Sequence, residues 1–200
     1  MILALLLAVM SAYPDFEATV GGAVPDVPPP NRGGPTAPLL GLRAGFHASD
    51  HLTLSGAFLG VLGPTTEGGF CGGGSNCNSS GAFSAISWLG LLRLHTAGDL
   101  QGFIEGGVGG GKLKSWSPSD SDRLENPTLH GRVGPVLFVG AGARYFVART
   151  IPVGLELAWT RWTNVSRPSF PYGVSDQPAV DDLTVNAYLL MFTFGFTPGR

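Results

Sequence analysis

Hydrophobic and polar positions alternate with period two along most of the chain, in segments of about 9 to 15 residues. In one segment Leu40, Leu42, Ala44 and Phe46 alternate with Gly41, Arg43, Gly45 and His47. Another sets Val153, Leu155, Leu157 and Trp159 against Gly154, Glu156, Ala158 and Thr160, and the last places Tyr188, Leu190, Phe192, Phe194 and Phe196 opposite Thr193 and Gly195. The pattern predicts strands over Asp15–Val24, Pro38–Ala48, Leu52–Leu62, Ala82–His95, Leu100–Leu113, Val133–Val147, Pro152–Thr163 and Thr184–Thr197. The first is the weakest, because Gly21, Gly22 and the nearby prolines disfavour a strand interior. Connections alternate between short, near residues 49–51, 96–99 and 148–151, and long, over 25–37, 63–81, 114–132 and 164–183. The long ones are polar and rich in Gly, Pro, Ser and Asn.

An even strand count with tight turns at one end and long loops at the other describes an all-β, eight-stranded antiparallel up-and-down transmembrane β-barrel, with short periplasmic turns and four long external loops. Eight strands leave an interior just wide enough for packed side chains. Because the more apolar parity carries the bulk, it is expected to face lipid, with small or charged residues inside.

Composition narrows the alternatives. The chain has 31 glycines, 12 basic and 14 acidic residues, and a net charge of −2. A mean hydropathy of +0.21 and 20 aromatic residues exclude disorder, and a pI near 6.0 excludes a cationic nucleic-acid binder. The longest apolar stretch, Met1–Met10, is too short for a spanning helix, which needs about 20 residues. Residues 1–12 read instead as a signal-peptide-like segment with its basic n-region missing, or as an apolar N-terminal strand, ahead of a single barrel domain over 13–200. Cys71 and Cys77 bracket a flexible stretch and are expected to form a disulfide in an oxidising compartment. Metal binding is the weaker reading of the pair, since two thiols do not complete a site, and His47, His51, His95 and His130 lack metal-ligand spacing.

Charges within the strands are the most specific signal. Glu17, Arg43, Arg93, Glu105, Arg144 and Glu156 lie on the parity opposite the apolar set, each about two to five residues from a periplasmic strand end. They are expected to form a ring of lumen salt bridges that plugs the barrel, in which Arg144→Leu would leave Glu105 or Glu156 unpaired. Arg161 breaks the parity rule near an external end, from where it can snorkel to water. Phe16, Phe46, Phe103, Tyr145, Phe194 and Phe196 near the periplasmic ends, and Phe58, Trp159, Trp162 and Tyr188 higher up, are expected to supply interfacial girdles. Phe103 is a defect in this scheme, because it shares parity with Glu105.

The runs Phe103-Ile104-Glu105-Gly106-Gly107-Val108-Gly109 and Gly140-Ala141-Gly142-Ala143-Arg144-Tyr145-Phe146, with the Phe-rich last strand, resemble the OmpA/OmpX-type small outer-membrane barrels over about residues 13–197. The resemblance implies the barrel fold and a bacterial outer-membrane location. Its members include structural anchors, adhesins, small channels and lipid-modifying enzymes, so fold alone does not choose among roles. The leading expectation is a non-enzymatic barrel with a structural or surface-interaction role and a salt-bridged lumen. It would be a monomer among outer-membrane lipid, open to extracellular partners through its loops, with no nucleic-acid partner, cofactor, metal or catalytic residue. The alternatives are a narrow passive porin-like channel, a lipid A deacylase-like enzyme and a soluble exported ligand-binding barrel. His47-Ala48-Ser49 resembles the H-x-S element of lipid A deacylases but no third partner is identifiable. Gly106–Lys112 matches the start of a phosphate-binding loop, yet Leu113 follows where Ser or Thr is required.

Overall fold

The period-two alternation becomes eight strands in the computed structural model, which describes residues 13–26, 36–62, 83–116, 133–165 and 183–198. They are β1 (Tyr13–Asp26), β2 (Ala37–Ser49), β3 (Leu52–Val61), β4 (Phe83–His95), β5 (Leu100–Trp116), β6 (Val133–Ala148), β7 (Ile151–Val165) and β8 (Leu183–Phe196). Each pairs antiparallel with its neighbour in sequence, and β1 closes on β8. The expected strands are all present, with β1, β5 and β7 running two or three residues further toward the external end than the pattern predicts. Strand β1 survives its two glycines for a steric reason. A Cβ at Gly21 would run into the backbone carbonyl of Leu190 on β8, so glycine there permits the close approach that seals the barrel. The run Gly106–Lys112 lies within β5, where no helix follows to make a phosphate cradle.

The pairing register sets the barrel's shape. Phe16 faces Ala44, which faces Gly56, and the row continues through Gly90, Val108, Leu137, Arg161 and Asn186. It returns to β1 at Asp26, ten residues beyond Phe16. A stagger of that size around eight strands requires a tilt of about 41°, inside the range of outer-membrane barrels. Along the barrel axis each strand residue then rises about 2.5 Å, and each step to the next strand along the row about 3.2 Å.

Outside, the wall is apolar, with Leu42, Leu100, Ile104, Val108, Val139, Leu157, Phe192 and Phe194 all exposed. A soluble protein rarely exposes a contiguous surface of this kind, whereas hydrocarbon requires it. Phe16, Phe46, Phe58, Tyr145, Tyr188, Phe194 and Phe196 stand outward as expected for girdles. Phe103 and Trp162 do not: both are buried in the lumen.

The interior departs from the expectation of small or charged residues throughout. Its external half is a hydrophobic core built from Leu39, Leu59, Val61, Leu89, Val136, Phe138, Trp162, Leu189 and Met191. Charged groups occupy only the periplasmic half, while Ser87 and Thr160 are buried among the apolar side chains above. Glycine and alanine alone would leave voids in a barrel of this stagger, and dispersion contacts are lost at every void, so bulky apolar side chains fill the upper lumen. Trp162 satisfies its ring N–H there by donating to Ser87 Oγ at 2.9 Å.

Candidate functional site: a buried charge network in the lumen

Strand alternation turns six expected residues into the lumen from β1, β2, β4, β5, β6 and β7, and the register brings them within roughly 8 Å of one another along the axis. All are buried, Arg144 and Glu156 to 1% and 0% exposure. Charges with so little access to water hold their place only by pairing.

Arg93 on β4 forks onto Glu17 of β1, with Nη1 and Nη2 donating at 2.7 and 2.9 Å, while its Nε donates to Glu105 on β5 at 2.8 Å. Its guanidinium lies 4.4 Å from the ring centroid of Phe103. Phe103 is therefore no defect: its inward ring is a cation–π platform for Arg93. Arg43 on β2 sits higher, with Nη1 3.0 Å from Glu105 and Nη2 3.0 and 3.2 Å from the two oxygens of Glu156 on β7. A longer approach of 3.7 Å joins it to Glu17. Phe138 of the apolar layer lies against Arg43 from above, 5.8 Å from its guanidinium carbon.

Arg144 on β6 closes the lower edge. It does not pair with Glu105 or Glu156, the partners expected from neighbouring strands. Its Nη1 reaches across the lumen to Asp15 at 3.0 Å and Glu17 at 3.1 Å, and its Nε donates to Gln101 at 2.7 Å. Asp15 also accepts from the Thr197 hydroxyl at 2.8 Å. The ring thus holds three guanidiniums and four carboxylates, because Asp15 joins the six.

Beneath it runs a relay of hydrogen-bonding groups. His95 Nδ1 donates to the Thr96 carbonyl at 3.2 Å, leaving Nε2 of the neutral ring to accept from the Thr53 hydroxyl at 3.1 Å. Thr53 in turn accepts from His47 Nδ1 at 3.2 Å, and Arg144 Nη2 lies 3.4 Å from His47 Nε2. His47 stacks on Tyr13 with centroids 4.3 Å apart. Ser49, by contrast, is exposed in the β2–β3 turn, where its hydroxyl accepts from the His51 backbone N–H at 3.3 Å. The H-x-S residues are thus apart, Ser49 exposed at the turn and His47 buried in the lumen, where Thr53, Arg144 and Asp15 engage its two ring nitrogens.

Asp15, His47, Gln101 and Thr53 were absent from the expected ring, although Asp15 and His47 share parity with Glu17 and Arg43. Among the described residues no cluster of three or more His, Cys, Asp or Glu is arranged to hold a metal ion. Cys71, Cys77 and residues 1–12 lie outside the described residues.

No protein-family model matches the chain, and no curated protein gives a significant match. Solved structures do match. Neisserial surface protein A is 12% identical over 92% of this chain and 97% of its own, with a TM-score of 0.60. Ail, the attachment invasion locus protein of Yersinia pestis, in complex with the heparin analogue sucrose octasulfate, is 14% identical over 92% and 99%, with a TM-score of 0.47. The outer membrane protein OprG from Pseudomonas aeruginosa is 15% identical over 92% and 96%, with a TM-score of 0.44. Identity this low carries fold and nothing finer. The chain has the fold of the small eight-stranded barrels of bacterial outer membranes.

Proposed function

We propose that the protein is a non-enzymatic barrel of the bacterial outer membrane that works as a closed, monomeric scaffold, bearing four external connections for structural or surface-interaction roles. The observation that carries this reading is the doubly filled lumen. A solute entering from the periplasm meets guanidiniums and carboxylates locked at 2.7 to 3.2 Å, and above them a layer packed with Leu, Val, Phe, Trp and Met side chains. Two barriers in series, one electrostatic and one steric, make passive conduction unfavourable. The H-x-S catalytic reading lacks its nucleophile and base in contact, since Ser49 is exposed in the turn and His47 is buried in the lumen.

Purified protein in planar bilayers should show no stepwise conductance above the bare membrane, and outer-membrane fractions should yield a band whose gel mobility shifts on boiling. Steady single-channel steps would replace this reading with the narrow channel. Recovery as a detergent-free soluble protein would invert the assignment of the apolar wall to lipid.

A further inference from the structure

We propose that Arg161 anchors a phosphorylated headgroup of an outer-leaflet lipid on the outside wall of the barrel. The inference rests on the membrane-spanning reading above. Among strand residues with described side chains, three charged ones face outward, Asp26, Lys112 and Arg161, all toward the external ends of their strands. The register gives their depth. Arg161 lies roughly 19 Å above Phe16 along the axis, with Lys112 and Asp26 about 4 to 6 Å higher. The apolar wall begins below Phe16, where Tyr145 and Leu100 stand about 4 to 7 Å lower. Arg161 is thus about 25 Å from the periplasmic edge of the wall, the height of the apolar band in such barrels. It is the deepest outward charge and stands where hydrocarbon gives way to headgroups.

Its surroundings favour an anion. Along β7 the next outward residue below is Trp159, which pairs with the exposed Tyr188 of β8, so two amphipathic rings flank the guanidinium at interface depth. Asn186 is opposite Arg161 in the ladder, and its Oδ1 is buried without a hydrogen bond. Asp26 stands one strand beyond Asn186 and makes no ion pair with Arg161. No ion pair involves Arg161 among the described residues. At this depth the guanidinium reaches the headgroup region, where a phosphate both neutralises it and fits its fork of donors.

The full-length protein would be inserted into phosphatidylcholine vesicles containing a small fraction of either bisphosphorylated lipid A or the same lipid with its phosphates removed. Lipid retained through detergent exchange is then quantified. The phosphorylated form should be retained about threefold to fivefold better, the range for a partly exposed charge-assisted contact. Arg161→Gln should abolish that preference while Lys112→Gln keeps it. Equal retention of the two lipids, or an unchanged preference in Arg161→Gln, overturns the site. Competition by millimolar inorganic phosphate as effective as by the lipid would overturn the headgroup assignment in favour of free phosphate. Failure of the wild-type chain to insert into any vesicle overturns the membrane reading and the site with it.

Discussion

Replacing Arg93 by Met tests the charge network where it is densest. The arginine makes three hydrogen bonds of 2.7 to 2.9 Å, two to Glu17 and one to Glu105, and covers Phe103. Met has similar length and no charge, so the change removes pairing while keeping most of the volume. Three guanidiniums facing four carboxylates become two, and a second carboxylate is left without a cation in a space closed to water. Removing one partner of a buried pair costs about 3 to 5 kcal/mol. Arg144 at 3.1 Å and Arg43 at 3.7 Å still serve Glu17, which favours the lower end of that range. The assay is urea unfolding in detergent micelles, followed by tryptophan fluorescence. With a slope near 2 kcal/mol per molar, the midpoint should fall by about 1.5 to 2.5 M. Pairing Arg93→Met with Glu17→Gln should restore part of the loss, because the second change removes the stranded charge. A single-variant loss below about 1 kcal/mol, or a double variant worse than the sum, would refute the account of the ring as a closed ion-pair network.

Two further outcomes follow from the packing. Phe138→Ala, at a site 1% exposed just above Arg43, should cost about 3 to 5 kcal/mol in the same titration by opening a cavity between the layers. A loss under 1 kcal/mol would show that the upper lumen is loosely filled. Gly140→Leu should destabilise by about 1 to 3 kcal/mol, because even a Cβ there meets Glu156 and lies 3.3 Å from both Ala158 Cβ and Phe138 Cε1. A neutral result would mean that Glu156 is free to turn away from Arg43.

Strand number, strand bounds and the inward placement of the six charges were legible because alternation admits only two faces, and charge selects one. Pairing was not. Reasoning from neighbouring strands assigned Arg144 to Glu105 or Glu156, whereas the lumen is narrow enough for β6 to reach β1 across it, at Asp15 and Glu17. Trp162 was read as a girdle residue from its type and height, although its parity with Glu156 already pointed inward. Phe103 looked anomalous because a lumen aromatic makes sense only with the guanidinium above it. The apolar upper layer was hidden for a related reason. Where both faces are hydrophobic, as along Leu39-Leu40, Leu91-Leu92 and Leu189 to Phe192, alternation vanishes from the sequence although the strand continues.

The two layers constrain the barrel differently. Slipping any strand pair by two residues keeps every side chain on its own face, so neither the lipid wall nor the apolar layer resists it strongly. The same slip moves Glu17 about 6.6 Å relative to its partners, which breaks hydrogen bonds of 2.7 and 2.9 Å to Arg93. Buried ion pairs are weak contributors to stability but can specify register. A barrel in which Arg43, Arg93 and Arg144 become Met, Glu17, Glu105 and Glu156 become Leu, and Asp15 becomes Asn should therefore unfold within about 1 to 4 kcal/mol of the parent, on either side. Its amide NMR spectrum should show more than one resonance set for residues of β1 and β4, as alternative registers interconvert slowly. One sharp set would mean that the turns and the stagger alone hold the register, and that the ring contributes closure of the lumen without specifying the fold.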